Sequence, residues 1–258
     1  MERITSRSNP LCAHFRKLAS SAAYRRESGQ FLCDSPKLLG EILLWRPELL
    51  RTVLCTEPET LPALPEGVRA VSVPESLMEY LSPARTPQGI LSACALPEQS
   101  LPETLTGRRY AVLDGVQDPG NVGTILRTAD ALFADGLFLV NGCADPWQPK
   151  AVRASMGAIL RCPVWACGAG EMKSILSRSG IPLCGAALRQ DTRDARALPE
   201  GKAAVAIGSE GRGLSEEVLG LCDLTVRIPM AEHCESLNAA AAAAVLLWEL
   251  ARRDAPGK

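Results

Sequence analysis

The chain has 258 residues, 28 of them Lys or Arg and 29 Asp or Glu, for a formal net charge of −1. With 47% apolar and 22% charged residues, it has the composition of a globular protein that buries a full core, which excludes disorder and fibrous repeats. Its longest unbroken apolar run, Ala239 to Trp248, is too short for a bilayer span of roughly 18 residues or more. The opening MERITSRSNP also lacks the apolar stretch of a secretory signal, so a soluble, cytoplasmic protein is expected.

In chain order, a helical stretch near 11–24 opens the sequence. Short β-like runs follow at 52–55, 70–73 and 89–95, separated by helical patterns at 36–45 and 75–80. Residues 1–95 therefore read as a small α/β domain. Its first 55 residues carry nine basic and five acidic groups, which suits either a polyanionic partner or a solvated helix face. The stretch 96–108, with two prolines and no apolar periodicity, reads as a linker. From 109 to 258 the alternation is more regular. Apolar runs at 109–113, 136–140, 163–166, 182–187, 203–207 and 224–228 read as buried strands, and helical stretches at 121–132, 150–159, 171–178, 215–221 and 236–253 separate them. That pattern predicts a mainly parallel sheet covered on both faces, with ligands beyond the carboxyl ends of the strands.

Ten cysteines are spread without a C-x-x-C pair, and His14 and His233 are the two histidines. The cysteines read as small buried hydrophobes, and no metal site is expected.

Three loops concentrate unusual residues. In the first, Gly115, Pro119 and Gly120 follow a strand ending at Asp114, and Asn121 either caps a helix starting at Val122 or serves a ligand. Arg127, six residues on, either faces solvent or meets an anion near the helix start. In the second, Gly208, Gly211 and Gly213 surround Glu210. This G-x-x-G-x-G spacing is not the dinucleotide fingerprint and lacks the Lys-Ser/Thr of a phosphate loop. In the third, a strand ends at Ile228, Met230 follows, and a helix begins near Ser236, where Ser236 is an ordinary N-cap. Leu237, Asn238 and six alanines come next, giving a thin helix that another backbone can approach closely.

These loops, in this order and spacing, resemble the three motifs of the SpoU (TrmH-like) RNA ribose 2′-O-methyltransferases of the SPOUT superfamily. Asn121, Gly123 and Arg127-Thr-Ala match the first motif, and Gly208 to Gly213 the second. Ile228-Pro-Met and Glu-Ser-Leu-Asn238 match the third, and Val152-Arg153-Ala-Ser-Met-Gly157 a further signature. The N-terminal part is similar to the RNA substrate-binding domain of many members through Ile4-Thr-Ser-Arg-Ser-Asn9-Pro, Arg16-Lys17-Leu and Thr86-Pro-Gln88-Gly89.

The resemblance implies a parallel α/β catalytic domain with a deep trefoil knot, S-adenosylmethionine as cofactor, and a homodimer. It implies RNA as substrate, ribosomal RNA ahead of tRNA. Asn121, Arg127, Glu210, Ser236 and Asn238 are the implied catalytic set, with Gly208, Gly213, Ile228, Met230 and Leu237 around the cofactor. A guanidinium donates hydrogen bonds and has no acceptor, so Arg127 reads as a clamp for phosphate or alkoxide rather than a base. The basic residues Arg7, Arg16, Lys17, Arg25, Arg26 and Arg153 are the expected RNA contacts. Two rival readings are a non-catalytic RNA-binding assembly factor on the same fold and a dinucleotide oxidoreductase. The retained polar motif residues oppose the first, and the glycine spacing opposes the second. The sequence departs from the family pattern at Phe133, where glycine is usual and a different turn is therefore expected. It also departs at Glu232, and at Cys33-Asp-Ser35, where Val-Glu-Gly is usual.

Overall fold

The computed structural model describes residues 1–252 except Gln99, Gln190, Glu232 and Glu235. The first part of the chain forms β1 (Glu2–Arg3), α1 (Pro10–Ser20), α2 (Ala22–Ser28), β2 (Gln30–Cys33), α3 (Pro36–Trp45), β3 (Leu50–Cys55), β4 (Arg69–Ser72), α4 (Glu75–Leu81) and β5 (Ile90–Ala95). The second part forms β6 (Arg109–Asp114), α5 (Pro119–Ala131), β7 (Gly136–Val140), α6 (Pro149–Ser155), β8 (Val164–Ala166), α7 (Ala169–Arg178) and β9 (Leu183–Ala186). It ends with β10 (Arg193–Asp194), β11 (Ala203–Gly208), α8 (Glu216–Leu221), β12 (Leu224–Arg227) and α9 (Ala239–Ala251).

Two compact units result. One comprises Met1–Glu98 with Asp145–Leu160, the other Gln99–Ala144 with Arg161–Lys258. The segment around α6, expected inside a 109–258 domain, therefore belongs to the first unit. Arg25 helps hold it there: its guanidinium is buried and donates to Asp145 Oδ2 at 2.7 Å and to the Leu18 carbonyl at 2.7 Å. The stretch 96–108, expected as a linker, also contributes to packing, with Leu105 buried in the second unit's core and Leu101 packed against it.

The first unit's sheet runs β1-β4-β3-β5-β2, parallel from β1 to β3 and antiparallel from β3 to β2. Phe15, Leu18, Leu32, Leu54, Val71, Leu77, Met78 and Leu91 fill its core. The single helix expected near 11–24 is two. Ser21 leaves helical geometry with φ −122° and its side chain accepts from Tyr24 N, ending α1 and capping α2. Strands β1 and β2 have only two and four residues, too few for a periodic signal.

The second unit's sheet runs β10-β12-β9-β11-β6-β7-β8, and every pairing among the described strands is parallel, as expected. Tyr110, Val112, Phe138, Val140, Ala204 and Ala206 turn one face toward Met172, Ile175, Leu176 and Val218 of α7 and α8. The alternate strand residues turn the other way, where α5 and α9 contact β6, β7 and β11. No described helix is long and apolar enough to cross a membrane.

The turn after α5 keeps the left-handed geometry that glycine would supply. Phe133 has φ 61°, Phe133 N donates to Asp130 O, and Ala134 N donates to Ala129 O at 2.8 Å. The expectation of a different turn is thus corrected. The helix-ending hydrogen bonds dictate the backbone angle, and Phe133, an exposed residue, bears the strain.

Candidate functional site

The carboxyl ends of three adjacent strands, β12, β9 and β11, open into a cavity of about 460 Å³. Its walls come from the segments following each strand and from the start of α9. Gly208, Gly213, Ile228, Met230 and Leu237, the five residues expected around a cofactor, all line it, as do Glu210 and Ser236. Apolar Leu214, Leu219, Met230 and Leu237 meet polar Ser209, Glu210 and Arg212, the mixed lining of a small-molecule site.

The glycines have separate reasons. Ser209 and Gly213 close a tight hairpin through N–H···O bonds of 3.1 and 2.9 Å. A Cβ on Gly208 would fall 2.0 Å from Gly213 C and 2.3 Å from Leu214 N, so only glycine fits. Gly213 has φ +66°, which glycine adopts without steric cost. Asp114 anchors the far end of the loop. Its buried carboxylate accepts from Ser215 N at 2.6 Å and from Asn141 Nδ2 at 2.9 Å.

Glu210, at the hairpin tip, accepts from Asn121 Nδ2, and Asn121 Oδ1 accepts from Asn238 Nδ2 at 3.3 Å. Three residues from three separated loops thus form one hydrogen-bonded chain. Asn121 does not cap its helix. Asp118 does, accepting from Asn121 N at 3.1 Å, and Pro119 opens α5 two residues earlier than expected. Ser236 is not a cap either; Asn238 Oδ1 takes that role for α9, accepting from Ala240 N at 2.9 Å and Ala241 N at 3.4 Å. Both corrections release a polar side chain toward the site. The Glu210 carboxylate also lies beside the first turn of α5, where the helix dipole favours negative charge.

Arg127 stands apart. It is exposed on α5, outside the cavity lining, with no hydrogen-bond or ion-pair partner among the described residues. Six residues of helix put it about 9 Å beyond Asn121 and roughly 120° around the axis. Glu232 lies outside the described residues. Leu188, Arg189 and Arg212, not singled out from the sequence, also line the cavity. Arg189 follows β9, whose carboxyl end could have been marked as a site edge, but no glycine or charge motif flags it.

The basic set divides in the first unit. Arg7, Arg16, Lys17 and Arg26 are exposed. Arg25 is buried against Asp145, and Arg153 pairs with the buried carboxylate of Asp34 through Nε at 3.1 Å and through Nη2. Arg25 is therefore a structural cation rather than an open RNA contact, whereas Arg153 keeps an exposed side chain while tethered to an internal carboxylate. Within the Cys33-Asp-Ser35 departure, Asp34 keeps the carboxylate that a glutamate usually provides, and it pairs with Arg153. Arg153→Ala would leave Asp34, only 1% exposed, without its counter-ion. Stability should fall by about 2–3 kcal/mol in denaturant melts, less than a fully buried pair because the Arg153 side chain is 43% exposed. An unchanged melt would show the pair to be idle.

A parallel α/β sheet with a glycine-built cavity at its carboxyl edge, and a Glu–Asn–Asn chain at that cavity, defines a ligand-binding domain of enzyme type. Residues 108–248 match the SpoU rRNA Methylase family, and the chain belongs to it. It is 31% identical, over 97% of its length and 99% of the relative's, to the 23S rRNA (guanosine(2553)-2′-O)-methyltransferase of Bacillus subtilis. It is 32% identical, over 84% of its length and 75% of the relative's, to the 23S rRNA (uridine(2479)-2′-O)-methyltransferase of Streptomyces viridochromogenes. Among solved structures, the AdoMet-bound rRNA methyltransferase from Sinorhizobium meliloti superposes with a TM-score of 0.88 at 28% identity, covering 99% of both chains.

Proposed function

We propose that the chain transfers a methyl group from S-adenosylmethionine to a ribose 2′-hydroxyl of ribosomal RNA. The observation that carries this reading is the chain Glu210–Asn121–Asn238 at the cavity lined by Gly208, Ile228, Met230 and Leu237. The 23S rRNA named for two relatives favours ribosomal RNA over tRNA. The intact polar chain disfavours a non-catalytic assembly factor.

The cavity fits the cofactor by volume and by chemistry. Its apolar residues suit an adenine and a thioether-derived sulfonium, and Ser209, Glu210 and Arg212 offer polar partners. When bound, the cofactor supplies an electrophilic methyl group. The chain's own residues supply the rest. The hairpin at Gly208–Gly213 positions Glu210, and Asn121 fixes the carboxylate's orientation. Asn121 and Asn238 present amide groups to the acceptor nucleotide. Ser236 adds a hydroxyl at the cavity wall. Most of the rate gain then comes from alignment of the ribose oxygen. Arg127 clamps the phosphate or the developing alkoxide of the RNA, the hydroxyl proton passes to a neighbouring RNA phosphate or to water as the oxygen–methyl bond forms, and Arg7, Arg16, Lys17 and Arg26 hold the RNA backbone.

The same reading includes cytoplasmic action, a trefoil knot in the C-terminal loops, and a homodimer. For the dimer, Val245 and Trp248 are 38% and 55% exposed on α9, one helical turn apart on a shared face. Sedimentation at micromolar concentration should find dimers, and Trp248→Glu should yield monomers; a monomeric parent chain overturns that part.

S-adenosylhomocysteine tests the cofactor assignment. At about 100 times its Kd, a ligand confined to the folded state adds roughly 2.7 kcal/mol, and a thermal shift of that order is expected. No shift at millimolar ligand, or a shift with NAD instead, would overturn the reading.

A further inference from the structure

The proposed RNA contacts of the first unit include two cations held by a residue that the sequence reading did not single out. The guanidinium carbons of Arg7 and Arg16 each lie 4.7 Å from the centre of the Tyr80 ring. Arg16 Nη1 also donates to the Tyr80 carbonyl at 2.9 Å. The two charges therefore stand within twice 4.7 Å of each other. Tyr80 itself is fixed, because Leu77, Met78 and Leu81 of α4 are buried in the core.

The shared Tyr80 ring separates this pair from the other arginines of the unit, several of which are neutralised by carboxylates. Arg25 and Arg153 are matched by Asp145 and Asp34, Arg46 by Glu48, and Arg69 by Glu2. Arg7 and Arg16 are exposed and meet no carboxylate among the described residues. Like charges brought this close repel, and the ring's electron-rich face offsets only part of that. An incoming polyanion offsets the remainder. Lys17, the next residue on α1, has its ammonium 5.1 Å from the Tyr24 ring, so the basic surface continues past Arg16 on a second aromatic seat.

We propose that Arg7 and Arg16, braced by Tyr80, form a preassembled seat for the phosphodiester backbone of RNA. The inference rests on the RNA-methyltransferase reading for the identity of the polyanion. Planar guanidinium forks match phosphate oxygens. The Tyr80 ring is already engaged by two guanidiniums, so the seat takes backbone rather than a stacked base. It therefore contributes affinity without sequence preference. Tyr80 is a positioning residue that acts through the arginines.

The test uses the full chain and a labelled transcript of bacterial large-subunit ribosomal RNA, with binding read by fluorescence anisotropy from 50 to 200 mM salt. Losing two phosphate contacts lowers the salt slope by about two, so the affinity of Arg7→Ala/Arg16→Ala should fall about tenfold less across that range than the parent's. A shuffled transcript should show the same loss. Tyr80→Leu should weaken binding several-fold while keeping the slope, because both charges remain but are no longer held. Tyr80→Phe, which keeps the ring, should restore parental affinity. An unchanged salt slope in the double variant, with only a lowered melting temperature, overturns the proposal by making the arginines mere packing for Tyr80. A loss confined to one RNA sequence also overturns it. S-adenosylhomocysteine binding on the same samples separates the two readings. If the parent protein fails to bind that ligand yet the slope falls as stated, the methyltransferase reading fails and the phosphate seat stands.

Discussion

Gly208→Ala is expected to abolish S-adenosylhomocysteine binding while leaving the protein folded. The added methyl would lie 2.0 Å from Gly213 C, 2.1 Å from Gly213 O and 2.3 Å from Leu214 N. These are backbone atoms in a hairpin closed by two hydrogen bonds, so they cannot swing aside as a side-chain end would. Admitting the methyl means opening the hairpin, which displaces Glu210 and Arg212 from the cavity wall. Two neighbouring glycines calibrate the result. A Cβ on Gly211 meets nothing within 4 Å and its φ is unremarkable, so Gly211→Ala should bind like the parent. Gly213 has open space but φ +66°, so Gly213→Ala should pay roughly 1–2 kcal/mol of left-handed backbone cost and bind with intermediate affinity. Isothermal titration of the three variants reads the order directly. Parental affinity in Gly208→Ala would show that the hairpin does not shape the site.

Arg127→Ala should lower the single-turnover methylation rate by 10² to 10³, about 3–4 kcal/mol by analogy with a lost transition-state donor. Cofactor affinity should hold, since Arg127 does not line the cavity. Its exposure and the lack of a partner among the described residues leave the guanidinium open to RNA from solvent. Arg127→Lys should fail nearly as badly, because a point charge cannot reproduce a planar bidentate fork. Glu210→Gln should cost less, since its amide oxygen can still accept from Asn121. An arginine on a plain solvated helix face predicts the opposite, with both Arg127 variants turning over near the parental rate; that result would remove Arg127 from the reaction.

Much of the second unit was legible from residue order alone. Buried parallel strands need unbroken apolar runs such as Ala111-Val-Leu and Ala203-Ala-Val-Ala-Ile, and glycine and asparagine punctuate them at fixed places, so strand positions and the three loops could be read directly. The family motifs added which loops belong together. What the sequence left open was decided by long-range contacts. Whether Asn121 capped its helix depended on Asp118 taking that role, and whether Ser236 did depended on Asn238. The choice between competing local caps is small in energy, and a partner distant in sequence, here Glu210, settles it. Local charge likewise could not tell Arg7 from Arg25 or Arg153. A basic residue gains an internal partner only when folding brings a carboxylate such as Asp145 or Asp34 against it. The same holds for Tyr80, which lies 64 residues from Arg16: no spacing rule links them, and only tertiary packing brings α1, and Arg7 just before it, to an aromatic ring of α4.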